Sequence, residues 1–97
     1  MDIITKAIST FGIEHQISKA KEELIELLHV LTKWEQQRAT EAEVIDEIAD
    51  VTIIIEQLTM IFDDGTDELV ERIAFKLKRL NERIIEFEEL IKLESSN

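Results

Sequence analysis

Two acidic strings carry spacings from which metal or hydrolytic chemistry could be built. Glu22, Glu23 and Glu26 share one side of a helix, and Glu47 and Asp50, three residues apart, point together from another, with Glu43 one turn earlier on their stripe. Carboxylates converging in this number repel one another and do not all ionise without a cation. In a chain with no Cys and 2 His, hard oxygen ligands suit Mg²⁺ or Mn²⁺ rather than zinc. The competing readings are a salt bridge from Glu47 and Asp50 to Lys or Arg of another helix, and a plain solvated face for the earlier acids. Lys19 lies a turn before Glu22 and Glu23, and Gln16 is close to the same line. A cationic set follows later: Arg72, Lys76, Arg79 and Arg83 recur at i, i+4, i+7 and i+11, with Lys78 among them. Such a stripe either pairs with Glu68 and Glu86 in solvent or holds phosphate oxygens.

Other chemistries find less support. Ser9, Ser18 and the Thr residues lack His and Asp partners at suitable places, and no G-x-x-x-x-G-K-[ST] loop exists. Glu26-Leu27-Leu28-His29 has the E-x-x-H form of di-iron bundles, but Glu47-Ile48-Ala49-Asp50 brings no His to match it. Trp34 could stack on a nucleobase; packing in a bundle or at a dimer contact is the preferred reading.

The elements that must position these residues are helices. The chain has 97 residues, no Pro and 2 Gly, and both Gly fall where helices should stop. The pattern predicts a first helix near Asp2 to Phe11, ended by Gly12. A second runs from about Glu14 to Arg38, with an apolar stripe of Ile17, Ala20, Leu24, Leu27, Leu28, Leu31 and Trp34. Thr40 and Glu43 make a capping box that opens a third, from about Glu41 to Phe62, apolar on almost every side and therefore expected to be buried. Asp63-Asp64-Gly65-Thr66 reads as a turn with Thr66 the next N-cap, and a last helix covers about Asp67 to Glu94 before a frayed Ser95-Ser96-Asn97. Val70, Ile73, Leu77, Leu80, Ile84, Phe87 and Ile91 alternate by three and four along it, a coiled-coil seam. A short second connection makes the middle helices antiparallel and brings Glu23 and Glu26 into register with Glu47 and Asp50.

Composition bounds the function. The net charge of −11 argues against binding nucleic acid as the main activity. Hydrophobic residues at 44% are too many for a disordered acidic tail, and no apolar run approaches a membrane span of roughly 20 residues. A start without a basic head or a cleavage site gives the expectation of a cytoplasmic protein. The fold expected is all-α: a single domain over 1–97, an antiparallel helical bundle with a long C-terminal helix, completed by oligomerisation as a homodimer or homotetramer.

The chain resembles the MazG-like nucleotide pyrophosphohydrolases of the all-α NTP pyrophosphatase superfamily, in their short, single-domain phage or bacterial form. The resemblance rests on Glu22-Glu23-Leu24-Ile25-Glu26, a spacer of twenty residues, then Glu47-Ile48-Ala49-Asp50. Phe11 to Gln16, Lys19-Ala20, Ile55 to Leu58 and Lys76 to Arg83 extend it over nearly the whole length. It implies Mg²⁺-dependent hydrolysis between the α and β phosphates of a nucleoside triphosphate, giving a monophosphate and pyrophosphate. By that resemblance Glu23, Glu26, Glu47 and Asp50 are the principal metal ligands, and Glu22 is a further ligand or the catalytic base that orients water. Gln16, Lys19, Lys76, Arg79 and Arg83 are the expected substrate contacts. The rival expectation is a non-catalytic helical interaction protein whose acids and bases merely pair across the bundle.

Overall fold

A computed structural model describes residues 2–63 and 65–96; Asp64 of the expected turn and Asn97 of the expected frayed end lie outside them. The described residues are all-helical, in four helices without strands: α1 (Ile3–Phe11), α2 (Ile13–Glu35), α3 (Glu41–Phe62) and α4 (Glu68–Ser95).

Local chemistry sets the helix ends. Asp2 lies outside α1 as its N-cap, its carboxylate accepting from the Thr5 backbone N–H at 2.9 Å. That bond holds the Asp2 carboxyl below the ordinary carboxylate range. Gly12, at φ +93°, stops α1 and lets α2 begin one residue later, its N–H donating to the Ile8 carbonyl while its own carbonyl accepts from Gln16. α2 ends at Glu35 rather than near Arg38, because Gln37 turns left-handed at φ +60° and the chain reverses there. The Thr40–Glu43 capping box is present in both directions and α3 has the expected bounds. α4 is capped by Asp67 rather than Thr66, without a side-chain capping bond; Glu68 and Glu71 in its first turn complement the dipole.

Helices α1 to α3 form one compact unit and α4 a second. In the first, α2 and α3 run antiparallel: Gln16 near the start of α2 meets Gln57 near the end of α3, while Glu26 and Glu47 come together further along. α1 packs on both, and Thr5 Oγ1 reaches Met60 Sδ at 3.5 Å.

The buried line differs from the expected one. Gln16, Ala20 and Glu23 are buried on α2, whereas Leu24, Leu28, Leu31 and Trp34 remain exposed. The side of α2 turned to its neighbours thus carries two polar residues, and the leucine stripe lies to one side of it. α3 is not buried all round either: Ile54 and Gln57 are buried, but Ile45, Ile48, Ile53, Ile55, Met60 and Phe62 are exposed, since two neighbouring helices cover only part of its circumference. The whole described length of α4, including its seam, is exposed. No helix among the described residues is long and apolar enough to cross a membrane.

Candidate metal centre

The register of the α2–α3 pair is fixed by a bond between two amides. Gln16 and Gln57, 5% and 6% exposed, join through Gln16 Nε2 donating to Gln57 Oε1 at 2.6 Å. Gln16 Oε1 is 2.8 Å from His15 Nδ1, which must carry the proton in that contact, and the imidazole stacks on Phe11 at 5.4 Å. From this anchor, seven residues forward along α2 and seven back along α3 are Glu23 and Asp50, and three more in each direction are Glu26 and Glu47. Sequence spacing alone thus carries both acidic strings to one level of an antiparallel pair.

One carboxylate oxygen each from Glu23, Glu26 and Glu47 lies within 4.8 Å of the others, as do oxygens from Asp46, Glu47 and Asp50. Glu47 belongs to both groups. Glu23 is only 8% exposed, and its two oxygens differ: Oε1 takes a salt bridge from Lys19 Nζ at 3.3 Å, whereas Oε2 is buried with no hydrogen-bond partner. Glu47 Oε2 is likewise buried and unpartnered. Two sealed acceptors from facing helices, each without a donor, are costly unless something positive meets them. Among the described residues no Lys or Arg pairs with Glu47 or Asp50, so the salt-bridge reading of those two finds no partner.

The electrostatics agree with the crowding. The Glu47 carboxyl is pushed above its usual range, first by desolvation and then by the negative charges of Glu26, Asp50, Glu23 and Asp46. Lys19 is held above the ordinary lysine range by its hydrogen bond to Glu23 and by the charges of Glu23, Glu22 and Glu26. Its ammonium group sits at the rim and leaves the inner oxygens of the cluster unmet.

The remaining expected residues are placed unevenly. Glu22 pairs with Lys19 at 3.6 Å and is exposed, outside both oxygen groups. Asp50 joins Asp46 and Glu47 rather than Glu23 and Glu26. Glu43 is held by its cap. His29 joins neither group, so the E-x-x-H string does not assemble a mixed His and carboxylate donor set among the described residues. Trp34 is not packed away; it lines an open hollow of about 330 Å³ with Leu31, Glu41, Val44 and Ile45. Within the second unit, Lys76, Arg79 and Arg83 line one face of α4 around Leu80, while Arg72 lies over the Phe75 ring at 4.9 Å.

Sequence reasoning missed Asp46 and Lys33, and weighed His29 only as part of an E-x-x-H string. Asp46 stands four before Asp50, a helical spacing that could have marked it, and His29 and Lys33 follow Glu26 by three and seven. A groove of about 590 Å³ runs beside the cluster, lined by Glu26, His29, Val30, Lys33, Ala42, Glu43, Asp46 and Glu47.

The donor set is all oxygen, crowded, anionic and partly sealed from water, which fits a hard divalent cation of the Mg²⁺ or Mn²⁺ kind. No protein family, curated protein or solved structure was found to match the chain.

Proposed function

We propose that the chain is a Mg²⁺-dependent nucleoside triphosphate pyrophosphohydrolase of the MazG-like kind, with Mn²⁺ able to substitute. The observation that carries this reading is the pair of buried carboxylate oxygens, Glu23 Oε2 and Glu47 Oε2, on facing helices and without a hydrogen-bond partner among the described residues. Glu23, Glu26 and Glu47 would hold the ion, and Asp50 with Asp46, grouped with the same Glu47, would supply further oxygens. A divalent ion held there supplies Lewis-acid polarisation of phosphoryl oxygens and screens their charge.

The chain's own groups then have distinct tasks. Glu22, exposed beside the cluster, orients a water and takes its proton as that water attacks the α-phosphorus. A P–O bond forms to the water oxygen, the α–β anhydride P–O bond breaks, and pyrophosphate leaves with the electron pair. Lys19, paired with Glu23 at the start of α2, offers its ammonium group to substrate, whereas Gln16, expected beside it as a contact, is buried and held by Gln57 and His15 and serves to position the helix pair. Lys76, Arg79 and Arg83 offer a cationic face to phosphate oxygens. The active form is a cytoplasmic homodimer or homotetramer, a single functional domain completed as a bundle by further copies. This part of the reading is supported by the exposed seam Val70, Ile73, Leu77, Leu80, Ile84, Phe87 and Ile91, an apolar face too long to be left to solvent.

A hydrolysis screen over canonical and damaged nucleoside triphosphates, with pyrophosphate and phosphate detected separately, tests the reaction. The expected products are a monophosphate and pyrophosphate, lost in EDTA and in Glu23→Gln. Inertness toward every triphosphate in Mg²⁺ and Mn²⁺ would return the chain to the class of helical interaction proteins.

A further inference from the structure

We infer that Lys33, assisted by His29, receives the far phosphates of a metal-bound oligophosphate in the groove that leads from the acidic cluster toward the α2–α3 turn; this rests on the metal-site reading above. Lys19, Glu22, Glu26, His29 and Lys33 fall at spacings of three, four, three and four, one stripe of α2 with cations at both ends and acids between them. The two ends are not equivalent. Lys19 is engaged by Glu22 and Glu23, whereas Lys33 is in no salt bridge among the described residues although Glu43 and Asp46 line the same groove.

The groove gives this difference a use. Glu26 and Glu47 belong both to its lining and to the oxygen group they share with the buried Glu23, so it opens directly onto the candidate metal. Its other acids, Glu43 and Asp46, repel a bare anion, and Lys33 and His29 are the only lining residues able to offer a cationic or ring N–H donor. An anion therefore enters only with a divalent ion to screen it, and its free end is met where the donors are. Lys33 lies seven residues beyond Glu26, about 10 Å along the helix axis. A single phosphate held at the carboxylates does not span that interval, while a chain of phosphates with a flexible lysine reaching back does. The ligand chemistry implied is a linear oligophosphate chelated to Mg²⁺, the tail of a nucleoside triphosphate, oriented with its terminal phosphate toward Lys33.

The test uses the full chain and two probes, Mg²⁺ alone and inorganic tripolyphosphate in saturating Mg²⁺, each titrated calorimetrically into the parent, Lys33→Gln, His29→Gln and a charge-matched control, Lys21→Gln. Lys33 and Lys21 are exposed, so all four chains are expected to fold, which melting in EDTA checks. The expected result is unchanged Mg²⁺ affinity throughout, with tripolyphosphate affinity reduced about tenfold or more in Lys33→Gln, less in His29→Gln and hardly in Lys21→Gln. Equal tripolyphosphate affinity in parent and Lys33→Gln, or an equal loss in Lys21→Gln, overturns the inference and leaves the metal site standing. A parent that binds neither probe removes the metal reading itself, and this inference with it.

Discussion

Replacing Gln57 by Met removes one carboxamide from the buried Gln16–Gln57 pair while keeping the length of the side chain. Gln16 Nε2 then loses the acceptor it holds at 2.6 Å, in a residue that is 5% exposed and has no room to recruit solvent freely. An abandoned buried donor costs about 1–3 kcal/mol, more than the net worth of the bond, because desolvation is no longer offset. For a domain of roughly 100 residues each kcal/mol corresponds to about 4–8 °C, so the melting midpoint should fall by roughly 4–24 °C. The double variant Gln16→Met, Gln57→Met removes donor and acceptor together and should recover much of that loss, since His15 is exposed and can turn to water. Melting curves of the parent, both single variants and the double close a mutant cycle whose coupling term isolates the pair. A Gln57→Met chain that melts with the parent, and a double variant that is merely additive, would refute the claim that this bond sets the register of the two acidic strings.

The other predictions concern charge, substrate and assembly. Because the Glu47 carboxyl is raised in the folded state by desolvation and its acidic neighbours, its contribution favours folding below the ordinary glutamate range and is lost as pH rises through the raised value. In EDTA the parent should therefore become less stable as pH climbs out of the carboxylate range, Glu47→Gln should lose that part of the slope, and at neutral pH it should melt no lower than the parent. Arg79→Ala should lower kcat/KM for the triphosphate by about one to two orders of magnitude, read by steady-state kinetics; unchanged kinetics would leave the α4 stripe a solvated face. Replacing Leu80 and Ile84 by Glu should dissociate the assembly, and light scattering that finds the unmodified chain at 11.3 kDa at micromolar concentration would contradict a seam shared between copies.

Much of the architecture was legible because helix punctuation here is chemical and local. Gly12, the Thr40–Glu43 box and the apolar end of α3 at Phe62 each leave a mark that reads without tertiary knowledge. The face α2 turns to its neighbours was not legible. The leucine line of Leu24, Leu28 and Leu31 is the stronger apolar signal, yet the buried line runs through Gln16, Ala20 and Glu23, and periodicity alone does not reveal that a polar line is the buried one. The same limit governs the acids. Spacing brought Glu23, Glu26, Glu47 and Asp50 to one level, but the division of oxygens, with Asp50 grouped beside Asp46 and Glu22 turned to Lys19, depends on side-chain directions that an i, i+3 pattern leaves open. Lys33 escaped notice because an isolated lysine on a charged helix face carries no sequence signal; only the groove beside Glu26 and Glu47 distinguishes it.

Everything functional proposed for this chain depends on a divalent cation at the Glu23, Glu26 and Glu47 oxygens, and the most direct measurement is the melting midpoint in EDTA and in Mg²⁺ at constant ionic strength. At a hundredfold excess over Kd, binding to the folded state alone contributes about 2.7 kcal/mol. At about 4–8 °C per kcal/mol that is an upward shift of roughly 10–20 °C. The parent should show such a shift, saturating with Mg²⁺, and Glu23→Gln should lose it, because that change keeps the side chain's size while deleting a charge from a nearly sealed carboxylate. Superimposable parent curves in EDTA and in Mg²⁺ would contradict a cation at those oxygens.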